Sequence, residues 1–151
     1  PLAAQDFSQS FSVGRSNMEC WRVLTDVATV SSWVTVVGED QEHEHLAHYT
    51  TLLEDRLGPF KLRADLDVLV TALTENESIT VRADGEDRQV GSRITIDATL
   101  ALSPRDDGCD VDISGRYEVT GRVATMGAST IRQKADKILK EFMDAAMRDL
   151  A

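Results

Sequence analysis

Residues 111–150 read VDISGRYEVTGRVATMGASTIRQKADKILKEFMDAAMRDL, and the spacing of their apolar side chains changes at Gly121. Before it, Val111, Ile113, Tyr117 and Val119 take alternate positions, the period-2 pattern of a strand with one face turned to a core. After it, Ala124, Ala128, Ile131, Ala135, Ile138, Phe142, Ala146 and Leu150 recur every three or four residues. That spacing predicts an amphipathic helix of about twenty residues or more, running to the C-terminus. A one-faced helix entered from a strand must bury its apolar stripe, and a sheet built from the preceding chain is the surface at hand.

The preceding chain supplies that sheet. Leu62, Ala64, Leu66, Val68 and Val70 fall on one face of a strand, with Lys61, Arg63, Asp65 and Asp67 on the other. The same alternation returns in Ile79, Val81 and Ala83 and in Ile94, Ile96, Ala98, Leu100 and Leu102. Turn chemistry separates these runs: a bend at Gly58-Pro59, a turn over Thr74–Ser78, a loose polar connection over Gly85–Gly91 and a turn over Pro104–Gly108. Strands over Val34–Gly38 and Leu46–Leu57 complete an antiparallel meander. Near the N-terminus, Phe7, Phe11 and Val13 mark a first strand over Gln5–Val13, ended by Gly14. Ser16-Asn17-Met18-Glu19 is a capping box that starts a helix carrying Trp21, Val23 and Leu24, and Asp26 can cap a second short helix through about Ser32. The expected class is therefore α+β. A curved antiparallel sheet of about seven strands, with two short helices after the first strand, lies under one long C-terminal helix in a single domain over residues 1–151.

At 151 residues the chain is long enough to bury roughly 70% of its unfolded surface around one core. Its 26 acidic and 16 basic residues give a net charge of −10. No nucleic-acid partner is expected, because nothing offers a basic face, and contact with an anionic membrane is expected to be peripheral at most. The acidity is uneven: residues after Gly121 carry +2 and those before it −12. The longest uncharged stretch, Val27–Gly38, is too short to span a bilayer. The first residues show no basic-then-apolar leader, which leads us to expect a cytoplasmic location. Cys20 and Cys109 have no metal-type spacing and read as two buried, reduced thiols.

The order strand, helix, helix, six strands, long helix resembles the helix-grip fold of START lipid-binding domains, the birch pollen allergen family and polyketide cyclases. More specifically, the sequence resembles the CoxG family of carbon monoxide dehydrogenase subunits. Phe11-Ser12-Val13 leading to Trp21-Arg22-Val23-Leu24-Thr25-Asp26 is similar to that family's opening strand and helix. Leu57-Gly58-Pro59-Phe60 is similar to its Val-Gly-Pro bend, and Gly121-Arg122-Val123-Ala124-Thr125-Met126-Gly127 to its Gly-x-Leu-Ala-x-Leu-Gly helix opening. The sequence departs from the family at Ser32-Trp33-Val34-Thr35, where many members carry Pro-Gly-Cys, and it ends at Ala151, where some continue into a tail implicated in membrane attachment. The resemblance implies a non-enzymatic accessory protein of a molybdenum hydroxylase such as carbon monoxide dehydrogenase. It also implies an apolar cavity suited to a lipid- or quinone-like molecule, met at the inner face of the cell membrane through the partner.

A long helix across a curved sheet leaves space between them. The positions expected to line it are Tyr49, Leu53 and Asp55 on one strand, Leu66, Val68, Val81, Ile96, Ala98 and Tyr117 on its neighbours, and Met126, Ile131, Ala135 and Ile138 on the closing helix. Trp33 joins them as either a core anchor or a lip of the cavity. Asp55 shares a face with Tyr49, Thr51, Leu53 and Leu57, so it is either a carboxylate in a half-apolar cavity, able to hold a ligand hydroxyl or act as a base, or is turned into water by a twist near Gly58-Pro59. Tyr117 needs a partner for its phenol, from backbone or from a ligand. His43, His45 and His48 lie in one hexapeptide but do not make the H-E-x-x-H pattern, and a solvated hairpin tip competes there with the start of a metal site. Glu86-Asp87 and Asp106-Asp107 read as solvated turns. No nucleophile elbow, P-loop or dinucleotide glycine pattern is present, so no catalytic set, metal or cofactor is expected. The sequence leaves two further readings: a cyclase- or isomerase-like enzyme using Asp55 and Tyr117, and an interaction module whose core is filled.

Overall fold

Local rules place the first helices. Ser16 Oγ accepts from the Glu19 backbone N–H at 3.2 Å and opens α1 (Asn17–Leu24). Asp26 Oδ1 accepts from Thr29 N–H at 3.4 Å and opens α2 (Val27–Ser32). The computed structural model describes residues 2–151. Around these helices run β1 (Leu2–Val13), β2 (Val37–Glu44), β3 (His48–Leu57), β4 (Phe60–Thr74), β5 (Ser78–Asp87), β6 (Ser92–Arg105) and β7 (Gly108–Gly121). They form one antiparallel sheet in the order β1-β7-β6-β5-β4-β3-β2. The chain closes with a 3₁₀ turn at Val123–Met126 and α3 (Ala128–Asp149).

The expected architecture is present, and its boundaries move for identifiable reasons. Expected from Val34, β2 instead begins at Val37, because the Glu141 carboxylate on α3 accepts from both the backbone N–H and the hydroxyl of Thr35 and holds the link off the sheet. The long helix starts a turn later than its periodicity suggests, since Gly127 sits at φ 94° between the 3₁₀ turn and α3. Gly121 is needed as glycine: at φ 84°, a Cβ there would stand 2.0 Å from the Gly91 carbonyl oxygen.

The largest correction concerns Asp87. Rather than lying in a solvated turn, it ends β5 and is 5% exposed. Its carboxylate accepts from three backbone N–H groups: Arg63 at 2.8 Å, Gln89 at 2.9 Å and Val90 at 3.1 Å. One side chain thus ties the β5–β6 turn to β4, and the loose connection expected over Gly85–Gly91 shrinks to its last few residues. Asp106 and Asp107, by contrast, are exposed at the β6–β7 turn.

The core is in two parts. One cluster gathers Phe11, Trp21, Trp33, Val111 and Leu150 where α1 and the end of α3 meet β1 and β7. The other gathers Leu62, Ile94, Tyr117, Val123 and Ile131 around the start of α3. Phe7 packs against both. The α3 backbone approaches the sheet along β1 and stands off from the middle strands. Cys20 and Cys109 are fully buried and unbridged in the first cluster. Burial, with Cys109 beside it, pushes the Cys20 thiol up to about 12, and burial also raises Cys109. Neither thiol is expected to react with iodoacetamide near pH 8 in the folded protein, whereas both should alkylate in denaturant; mass spectrometry of the quenched protein reads the result.

Candidate functional site

Between α3 and the sheet, the side chains of the second cluster border open space rather than fill it. Two lobes occupy it, an inner one of about 270 Å³ and an outer one of about 380 Å³. Phe7, Val34, Val37, Ile138 and Leu139 line both, and form the waist between them.

The inner lobe is formed by Leu53 and Asp55 on β3, Leu66 on β4, Ile96 on β6, Tyr117 on β7, and Ile131 and Ala135 on α3, all positions expected from the sequence. The outer lobe takes Tyr49, Val68, Val81 and Ala98, and Ile138 reaches both. Two expected positions lie elsewhere. Trp33 is the anchor of its two readings: its indole Nε1 donates to Asp149 Oδ2 at 2.7 Å, and its ring meets Phe142 edge-on at 5.6 Å. Met126 ends the 3₁₀ turn and covers the bend before β4, with its Cε 2.7 Å from where a Cβ on Gly58 would sit.

Asp55 points inward. Its side chain is 17% exposed, and Lys134 Nζ stands 3.2 Å from Oδ2. The twist into water does not occur, and the isolated acid is replaced by an ion pair bridging β3 and α3. Lys134 was not legible as a lining residue because a lysine on an amphipathic helix reads as solvent face. The signal lay in its position, three residues after Ile131 and four before Ile138, on the buried stripe. Val34, Val37 and Leu139 were missed for a similar reason: the first two fall where the strand start was misplaced.

Tyr117 is 6% exposed, stacks on Phe7 at 6.5 Å between ring centroids, and has no hydrogen-bond partner for its hydroxyl among the described residues. Burial pushes its phenol up, against the opposing pull of the Arg132 guanidinium. The two charged residues lining this lobe, Asp55 and Lys134, pair with each other.

The outer lobe meets the surface beside α2. Thr25, Val27, Asp40, Leu46 and Tyr49 line both this lobe and a surface groove of about 750 Å³ between the first helices and the β2–β3 hairpin. Leu46, at φ 54° in the hairpin tip, donates its N–H to the Tyr49 hydroxyl at 2.7 Å. The three histidines near this tip take separate partners: His43 with Thr50, His45 with Glu42 and His48 with Asp67. No group of three metal-ligating side chains is assembled among the described residues. Nor is any described helix long and apolar enough to cross a membrane.

Comparison with known proteins adds to this geometry. The sequence profile of the CoxG subunit of carbon monoxide dehydrogenase matches residues 10–150. No curated protein sequence matches the chain. Among solved structures, a conserved protein from Geobacillus kaustophilus superposes with a TM-score of 0.82 at 18% identity, covering 97% of this chain and 95% of that one. A START superfamily protein from Mycobacterium smegmatis gives 0.71 at 11% identity, with 96% of each chain covered. Truncated norcoclaurine synthase from Thalictrum flavum gives 0.66 at 13% identity, over 97% and 93% of the two chains. At these identities the likenesses establish the fold, which is the START-like helix grip expected from the order of elements.

Proposed function

The chain belongs to the CoxG family of carbon monoxide dehydrogenase subunits, and on that premise we propose that it is a non-catalytic accessory or carrier protein that holds an apolar or amphipathic small molecule between α3 and the sheet. The observation that carries this reading is the pair of adjoining lobes, walled mostly by apolar side chains, where a filled core would otherwise be. Association would be driven by apolar burial at roughly 25 cal/mol per Å². A lipid- or quinone-like molecule suits the apolar lining of the two lobes. The family name supports a molybdenum hydroxylase such as carbon monoxide dehydrogenase as the partner. The whole of residues 1–151 would act as one cytoplasmic domain, and a net charge of −10 favours at most peripheral membrane contact.

Native mass spectrometry of the purified protein tests the reading. A bound species of small-molecule mass that is lost on denaturation is expected. A bare chain that also fails to bind naphthoquinone and fatty-acyl probes would overturn it.

That Asp55 and Tyr117 line the same lobe favours a second reading, an enzyme of the cyclase or isomerase kind with Asp55 as base. It requires a rate loss of about a hundredfold or more in Asp55→Asn with substrate binding kept.

A further inference from the structure

On the outward face of the sheet, carboxylates are answered by neighbouring cations: Asp84 by Arg93 at 2.7 Å, Asp97 by Arg82 at 3.0 Å and Glu54 by Arg63 at 3.2 Å. The surface groove between the first helices and the β2–β3 hairpin is different. Four carboxylates line it against one guanidinium, that of Arg22. Glu42 pairs with His45 at 2.8 Å, whereas Asp26, Asp40 and Glu75 enter no ion pair among the described residues. Two of these three are held in place: Asp26 caps α2, and Asp40 Oδ1 accepts from the Thr51 hydroxyl at 2.6 Å. Apolar side chains share the lining. Met18, at 60% exposure the most exposed large apolar side chain among the described residues, lies there with Trp21. We propose that this groove is a docking site for a lysine- or arginine-rich segment of a partner protein. The segment's cations answer Asp26, Asp40 and Glu75, and an apolar side chain beside them covers Met18.

Charge complementarity selects this occupant. Fixed carboxylates of one sign around an exposed apolar patch repel nucleic acid and anionic lipid and attract a cationic surface. Lysine and arginine suit both features, because their aliphatic stems cover apolar surface while their heads reach outward to the carboxylates. A small polycation would meet the charges and leave Met18 in water. A second copy of this chain fits poorly: Arg56 and Lys61, which also enter no ion pair among the described residues, sit at the far end of β3 from the groove. Joining that end to the groove is a head-to-tail contact, which builds open chains rather than a closed dimer. The site is independent of what fills the cavity, and its test does not use the cavity.

The probe is a short fluorescein-labelled peptide of lysines around two leucines, its binding to the full chain followed by fluorescence anisotropy at pH 7. Saturable binding is expected, weakening several-fold as salt rises from about 0.05 to about 0.3 M. Asp40→Asn with Glu75→Gln is expected to weaken it about tenfold. Asp65→Asn with Glu118→Gln, which removes the same charge from the outward face of the sheet, should change it by less than about twofold. A readout that needs no variant is the methyl resonance of Met18 in the methionine-labelled protein, which should shift saturably while those of Met126 and Met147 stay in place. Equal weakening in the two double variants, or a Met18 signal that does not move, would overturn the site. Spermine binding as tightly as the peptide, or self-association of the chain lost in Asp40→Asn with Glu75→Gln, would overturn the partner class.

Discussion

Ala135→Trp should abolish ligand binding while leaving the protein folded. Ala135 lies on α3, one turn from both Ile131 and Leu139, and its methyl faces the inner lobe. An indole at that position occupies much of a space of about 270 Å³ and leaves little of it to a ligand. A loss of at least about a hundredfold in affinity for the naphthoquinone or fatty-acyl probe is expected, which is about 2.7 kcal/mol. In a filled core the same substitution would act as overpacking and destabilise by about 1–3 kcal/mol or more. Here the side chain enters existing space, so thermal unfolding should change little. Binding and melting measured on the same preparation therefore separate an open cavity from an interaction module with a closed core. A variant that melts much lower would indicate the closed core, and one that binds normally would place the ligand elsewhere.

Asp87→Ala should cost about 3 kcal/mol of stability, because it removes a buried charged acceptor from three backbone N–H groups and leaves these part-buried donors without their partner. For a chain of this size that corresponds to a fall in Tm of about 6–12 °C. The effect should depend on pH in a defined direction. Burial alone would raise the Asp87 carboxyl, but the three N–H donors outweigh it and hold it below the ordinary carboxylate value. A group whose folded value is depressed adds stability above its unfolded pKa, near about 3.9 for aspartate, and loses it as pH falls through the folded value. The gap between wild type and Asp87→Ala should thus be full at pH 7 and narrow below about pH 4. Thermal melts of both proteins at pH 7 and pH 3 supply the comparison, and an equal gap at the two pH values would show that the charge has no part in the effect.

How far the molecule could be read from its residues follows from what each signal carries. Periodicity reports which face of an element is apolar, and it located the sheet face, the α3 stripe and twelve of the expected lining positions, from Tyr49 to Ile138. It does not report whether an apolar side chain fills space or borders it, so Trp33 and Met126 looked like neighbours of the cavity while Trp33 packs on Phe142 and Met126 covers the Gly58 bend. Charged residues carry the opposite ambiguity. Lys134 and Asp87 both lie in stretches that read as solvated, yet one is drawn inward by Asp55 and the other by N–H groups, of which that of Arg63 is distant in sequence. Partners of that kind depend on register between strands, which no local pattern encodes. Strand ends moved for the same reason: Thr35 is lifted from the sheet by Glu141, on a helix far along the chain.

The cavity itself is tested most directly by methyl NMR of the Ile/Leu/Val-labelled protein during titration with the naphthoquinone and fatty-acyl probes. Saturable shifts centred on Leu53, Ile96, Ile131, Ile138 and Leu139, with the methyls of Val13 and Leu150 in the closed core unmoved, are the expected result. Shifts confined to exposed methyls such as those of Leu69 and Leu73, or no saturable shift at all, would contradict a ligand site between α3 and the sheet.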